Sequence, residues 1–141
     1  MRVIEKIFEE YEKNGIALGY ANLDAIAATV EYEGSYAVAV DYLKIKNMPD
    51  MVYYLGHELS HCRTGATHKL DSPFELKIKN EFKANKYFAL NYMPPESFNK
   101  AFGMGLRETF ELAEWFCMPE WFVAKTWEYY SDNGLLAPAK D

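Results

Sequence analysis

The stretch Met48-Pro49-Asp50-Met51-Val52-Tyr53-Tyr54-Leu55-Gly56-His57-Glu58-Leu59-Ser60-His61-Cys62-Arg63-Thr64-Gly65 decides the reading of this chain. Met48-Pro49-Asp50 can start a helix, with proline in or near its first turn. Val52, Leu55 and Leu59 recur at helical spacing and form a buried side. Thr64-Gly65 ends the element, so a helix is expected from about Pro49 to Arg63. Within it, His57 and His61 stand at i and i+4 and share a face, so both imidazoles can reach one metal ion. Glu58 projects beside the open side of that ion, placed to take a proton from an activated water. The motif points to a zinc hydrolase, and among these to a peptidase.

A catalytic zinc site uses three protein ligands and one open position. Three downstream carboxylates compete for the third place: Asp71, Glu75 and Glu81. Glu81 is favoured, because it opens Glu81-Phe82-Lys83-Ala84-Asn85-Lys86 on the next expected helix. The small Ala84, one turn from Glu81, would let that helix approach the histidine helix closely. His68 lies in the loop expected between the two helices, Ala66 to Pro73. It and Tyr54, one turn before His57, are candidates to contact substrate or a developing oxyanion.

Outward from this region, a helix is expected over about Arg2–Asn14, from Val3, Ile4, Ile7, Phe8 and Tyr11 at helical spacing. Asn14-Gly15 stops it. Ile16–Leu23 reads as a connector. Residues 28–32 and 36–40 are rich in β-branched and aromatic side chains around Glu33-Gly34-Ser35, which predicts a hairpin. Lys44–Asn47 reads as loop. A helix from Glu75 or Leu76 to Asn91 is expected to bury Phe82, Ala89 and Tyr92, and Met93-Pro94-Pro95 must stop it. Shorter helices follow: Pro95–Phe102, Leu106–Phe116 and Pro119–Tyr130. The expectation is a mostly helical α+β fold in one domain of residues 1–141, with the helical pair of 106–131 packed on it.

Composition narrows the class. Half of the 141 residues are apolar and 16% aromatic, too many for a disordered chain. The formal charge is −6, which lacks the basic footprint of a phosphate-backbone binder. The C-terminal pair could be read as a helix-turn-helix. Its second helix, however, carries one basic residue, Lys125, among Trp121, Phe122, Trp127 and Tyr130, which suits packing or protein contact. Direct nucleic-acid contact is therefore not expected. Cys62 and Cys117 form no CxxC pair and read as reduced thiols of a cytoplasmic protein. No apolar run approaches membrane-spanning length, and Met1–Lys6 lacks the apolar core of a signal peptide.

Three segments together resemble the ImmA/IrrE family of metallopeptidases, typical of prophages and integrative elements. They are Tyr54-Leu55-Gly56-His57-Glu58-Leu59-Ser60-His61-Cys62, Glu81-Phe82-Lys83-Ala84-Asn85-Lys86-Tyr87-Phe88-Ala89 and Met93-Pro94. The resemblance takes in the hairpin ending at Val40-Asp41 and the Leu112-Ala113-Glu114-Trp115-Phe116 step, and covers about Leu23 to Tyr130. Ser60 departs from the usual glycine. The resemblance implies a zincin-like minimal fold, zinc on His57, His61 and Glu81, and Glu58 as catalytic base. It also implies a protein substrate, a helix-turn-helix repressor cleaved to switch on a mobile element. The alternative is a non-enzymatic regulator that uses the same fold to bind a repressor or other partner.

Overall fold

The helix carrying the histidines forms because each of its ends is specified locally. It runs Met48–Thr64 and is named α2 below; a computed structural model describes it along with residues 2–65 and 73–137 of the chain. The Asn47 side chain accepts the Asp50 N–H at 2.9 Å, satisfying one of the first-turn donors, and proline occupies the first turn. At the other end Gly65 takes φ 64°, the left-handed conformation that closes a helix without Cβ strain. Every residue from Leu55 to Cys62 is buried, so α2 is a central helix rather than an amphipathic surface one.

The chain divides into two compact units, Met1–Phe88 and Ala89–Asp141. The first begins with α1 (Val3–Lys13), which buries Ile7 and Tyr11. The Tyr11 hydroxyl donates to the Leu55 carbonyl at 2.6 Å, so α1 is tied to α2 by a hydrogen bond as well as by packing. Three strands follow: β1 (Ala17–Tyr20), β2 (Ala27–Tyr32) and β3 (Ser35–Val40). Their order is β1-β3-β2, with β1 parallel to β3 (Ala17 opposite Ala37) and β2 antiparallel to it (Ala27 opposite Val40). The hairpin turns on Glu33 and Gly34, at φ 50° and 81°; two successive positive φ values make the tight turn whose twist matches the strands it joins.

Val38 and Val40 of β3 point into the core shared with Val52, Leu55 and Leu59 of α2, and α2 packs on β2 and β3. After β3, the buried Asp41 carboxylate accepts the Leu23 N–H at 3.1 Å, and Lys44 bonds back to the Leu23 carbonyl. These bonds fix the turn Tyr42–Lys44 that leads into α2. Helix α3 (Phe74–Tyr92) supplies Asn80, Ala84 and Phe88 to this core.

The second unit holds α4 (Pro95–Gly103), α5 (Thr109–Phe116) and α6 (Glu120–Asp132). Glu108 and Glu111 form a reciprocal capping box at the start of α5. Phe98 is fully buried, its ring 5.0 Å from Phe116 and 5.5 Å from Tyr130, and the Tyr130 hydroxyl closes on the Met93 carbonyl at 2.9 Å. Among the described residues the fold is therefore mostly helical α+β, as expected. No helix among them is long and apolar enough to cross a membrane.

Two expectations need correction. Ala17–Tyr20, read as connector, is a strand, paired in parallel with a segment 20 residues later in sequence. Four residues without alternation carry no local signal, and only the pairing with β3 makes them a strand. The buried stripe of α3 is also not the expected one. Phe82 is 56% exposed and Tyr92 is half-buried, whereas Asn80, Ala84 and Phe88 face the core and Ala89 is buried as expected.

Candidate metal centre

α2 and α3 meet where neither helix has a bulky side chain in the way. Ala84 is fully buried, as its small size suggested. The tighter contact is at Gly56: a Cβ built there would stand 2.5 Å from the Phe88 ring. Gly56 thus lets α3 lie against the turn of α2 that carries His57. Ser60, next to His61, donates to the Gly56 carbonyl at 2.7 Å and is fully buried, so the serine satisfies itself on its own helix.

The close crossing brings three side chains to one point. Glu81 Oε2 lies 2.8 Å from His57 Nε2, Glu81 Oε1 lies 2.9 Å from His61 Nε2, and the two Nε2 atoms are 3.1 Å apart. One ligand atom from each residue falls within 4.8 Å of the others, a group that can hold a metal ion. Glu75 is not part of it, and Asp71 and His68 lie outside the described residues. Both histidines are buried and Glu81 is half-buried. With a proton on Nε2, the His57 and His61 imidazoles donate to Glu81 and hold its carboxyl far below the usual carboxylate range, against the opposing effect of burial.

The protonation pattern explains why a cation suits this point. His57 Nδ1 lies 2.8 Å from Asn85 Oδ1, which also accepts the Tyr53 hydroxyl at 3.0 Å. An amide oxygen only accepts, so the His57 proton resides on Nδ1 and Nε2 presents a lone pair. That lone pair faces a carboxylate oxygen and a second imidazole nitrogen. Their mutual repulsion is relieved by a positive charge among them, either a proton or a metal ion. Two imidazole nitrogens and a carboxylate oxygen, one from each residue and all within 4.8 Å of one another, form a donor set that a metal ion can bridge. Donor chemistry and spacing both fit.

Asn85 entered the sequence reading only as part of the motif opened by Glu81, with no role of its own, and Tyr53 was not singled out. The signal was available as spacing: Asn85 follows Glu81 by four residues, and Tyr53 precedes His57 by four. The Tyr53 ring stacks on His57 with centroids 5.3 Å apart, and burial raises its hydroxyl well above the usual tyrosine value, so it stays a donor. Tyr54, the tyrosine considered earlier, sets its ring edge-on to Tyr53 at 5.2 Å; its hydroxyl makes no hydrogen bond among the described residues. Glu58 is buried, and its Oε2 accepts the Thr29 hydroxyl of β2 at 2.5 Å, leaving Oε1 without a hydrogen bond among the described residues. No sequence spacing marks Thr29, because the contact spans 29 residues and depends on how α2 lies on the sheet. Compared with protein-family models, curated proteins and solved structures, the chain matches none of them.

Proposed function

We propose that this chain is a zinc-dependent endopeptidase of the ImmA/IrrE type, with a zincin-like arrangement of helices about its metal. The observation that carries the reading is the convergence of His57, His61 and Glu81 from two helices onto one point. His57, His61 and Glu81 would hold the ion, with Asn85 and Tyr53 fixing the His57 ring. Zinc in such a set acidifies water to a pKa of about 7 and polarises a peptide carbonyl.

The remaining work falls to Glu58. Thr29 holds one of its oxygens, which fixes the carboxylate plane and leaves the other oxygen to accept a proton from water. The same carboxyl then returns that proton to the leaving amine. The proposed substrate is a helix-turn-helix repressor, and the proposed compartment is the cytoplasm, in keeping with two free cysteines. The alternative reading is a regulator that uses the same fold to bind its partner without cutting it.

One experiment separates the two. Zinc-loaded protein is incubated with a helix-turn-helix repressor encoded in the same element, with and without chelator, and the products are weighed by mass spectrometry. The proposal expects one defined cut, abolished by chelator and restored by zinc, and lost in Glu58→Gln while zinc stays bound. Intact repressor bound to zinc-loaded protein would instead establish the regulator.

A further inference from the structure

Arg63 lies in the last turn of α2, just past His61, and its guanidinium joins three helices. Nη1 donates to Asn14 Oδ1 at 2.6 Å, and Nε donates to the Tyr87 hydroxyl at 3.4 Å. Asn14 caps the C-terminal end of α1. Its own amide nitrogen donates to the Glu10 carbonyl at 2.7 Å, which leaves its oxygen for the arginine. Tyr87 stands on α3, shortly after Asn85. α1 also holds α2 through the Tyr11 hydroxyl and the Leu55 carbonyl. The two histidines therefore lie between two points of α2, Leu55 and Arg63, and α1 grips both.

What α3 gains from Arg63 is a fixed roll. Counting about 100° per residue, Asn85 lies about 40° from Glu81 to one side, and Tyr87 about 120° to the other. The buried Ala84 and Phe88 fall between Glu81 and Tyr87. Apolar packing is non-directional, so these two residues set how closely α3 approaches and constrain its rotation weakly. The hydrogen bonds at Asn85 and Tyr87 stand on opposite flanks of the buried arc and constrain rotation directly. The rotation matters to a ligand. At an outer radius of about 5–6 Å, a roll of about 10° carries the end of a side chain by about 1 Å. Metal–ligand distances tolerate about 0.2 Å.

We propose that Arg63 is a positioning residue of the metal centre: by bridging Asn14 and Tyr87 across the last turn of α2, it fixes the roll of α3 that brings Glu81 onto His57 and His61. This inference rests on the metal-binding reading above and adds a residue that acts through α3 rather than through the ion. Donating to acceptors on two separate helices suits the planar, rigid fork of a guanidinium. A lysine ammonium is a single point on a flexible stem and supplies no such fork.

The test uses the full chain with Arg63→Ala, Arg63→Lys, Tyr87→Phe and the double variant Arg63→Ala/Tyr87→Phe. Phe98→Leu, a core change in the second unit, is the comparison for lost stability alone. Zinc affinity is read by competition with a chromogenic chelator, and the visible spectrum of bound cobalt(II) reports ligand geometry. Arg63→Ala and Tyr87→Phe should each weaken zinc binding by about fivefold, the worth of one ordinary hydrogen bond, and should alter the cobalt spectrum. The double variant should lose no more than Arg63→Ala alone, because both changes remove the same bond. Arg63→Lys should recover only part of the loss. Phe98→Leu should lower urea stability with affinity and spectrum unchanged. In metal-free protein, the His57 Nδ1 proton on Asn85 should give an NMR signal that broadens in Arg63→Ala. Parental affinity and cobalt spectrum in Arg63→Ala, additive losses in the double variant, or an equal loss in Phe98→Leu overturns the proposal and leaves the metal centre standing. A parent chain that takes up neither zinc nor cobalt overturns the metal reading. Broadening of the His57 proton in Arg63→Ala would then still support the clamp, and an unchanged signal would overturn it as well.

Discussion

Gly56→Ala tests whether the α2–α3 crossing sets the site. On helix propensity alone the substitution should stabilise α2, by about 1 kcal/mol. The structure predicts the opposite sign. The added methyl would stand 2.5, 2.6 and 3.0 Å from three atoms of the Phe88 ring. Carbon atoms prefer about 3.5–4.0 Å, so ring and helix must separate by about 1 Å. Phe88 is fully buried, with Tyr53 at 5.8 Å between ring centroids, so its ring has no empty space to enter. Overpacking of this kind costs about 1–3 kcal/mol, which outweighs the propensity gain and leaves a net loss of about 1 kcal/mol. Because the clash forces α3 away from the turn that carries His57, zinc affinity should fall as well. Urea unfolding and zinc titration of Gly56→Ala, Phe88→Leu and the double variant measure both effects. The smaller ring should recover part of the loss, so the two substitutions should be non-additive by about 0.5 kcal/mol or more. A Gly56→Ala protein as stable as the parent, with unchanged zinc affinity, would refute the reasoning.

Other outcomes follow from the same geometry. Asn85→Ala removes the acceptor that orients His57 and should weaken zinc binding by about 10–100-fold with the fold retained, as zinc titration and circular dichroism would show. Glu58→Gln should bind zinc as the parent does and lose cleavage; a fully active Glu58→Gln would remove Glu58 as the base. Burial pushes the Cys62 thiol up to about 11, from 9.0 when unfolded. The folded state therefore holds this proton more tightly, so its contribution is present below pH 9 and is lost as pH rises towards 11. A disulfide reagent at pH 8 should leave Cys62 unmodified until the protein unfolds, and rapid labelling of Cys62 in the native state would contradict its burial.

What could be read from the sequence was what short-range spacing encodes. The i, i+4 histidines, the helix start at Met48-Pro49-Asp50, the closing Gly65 and the turn around Glu33-Gly34-Ser35 are each local, and each appears in the structure where the pattern put it. Glu81 could be placed because its helix follows directly and Ala84 offered a close approach. What escaped depends on pairing across distance. β1 exists only because β3 lies beside it, and Thr29 reaches Glu58 only because α2 crosses the sheet at β2. Phe82 misled because an aromatic at helical spacing reads as core. Here it is 56% exposed, beside Glu81 in sequence rather than among the buried Ala84 and Phe88.

The central claim is that His57, His61 and Glu81 act together as one zinc site. It is tested most directly by zinc content and affinity of the purified chain, measured in parallel for His61→Ala, Glu81→Ala and Glu75→Ala. About one tightly held zinc per chain is expected, lost in His61→Ala and Glu81→Ala and unchanged in Glu75→Ala. A parent protein that takes up no zinc, or a Glu81→Ala variant that binds it as tightly as the parent, would contradict it.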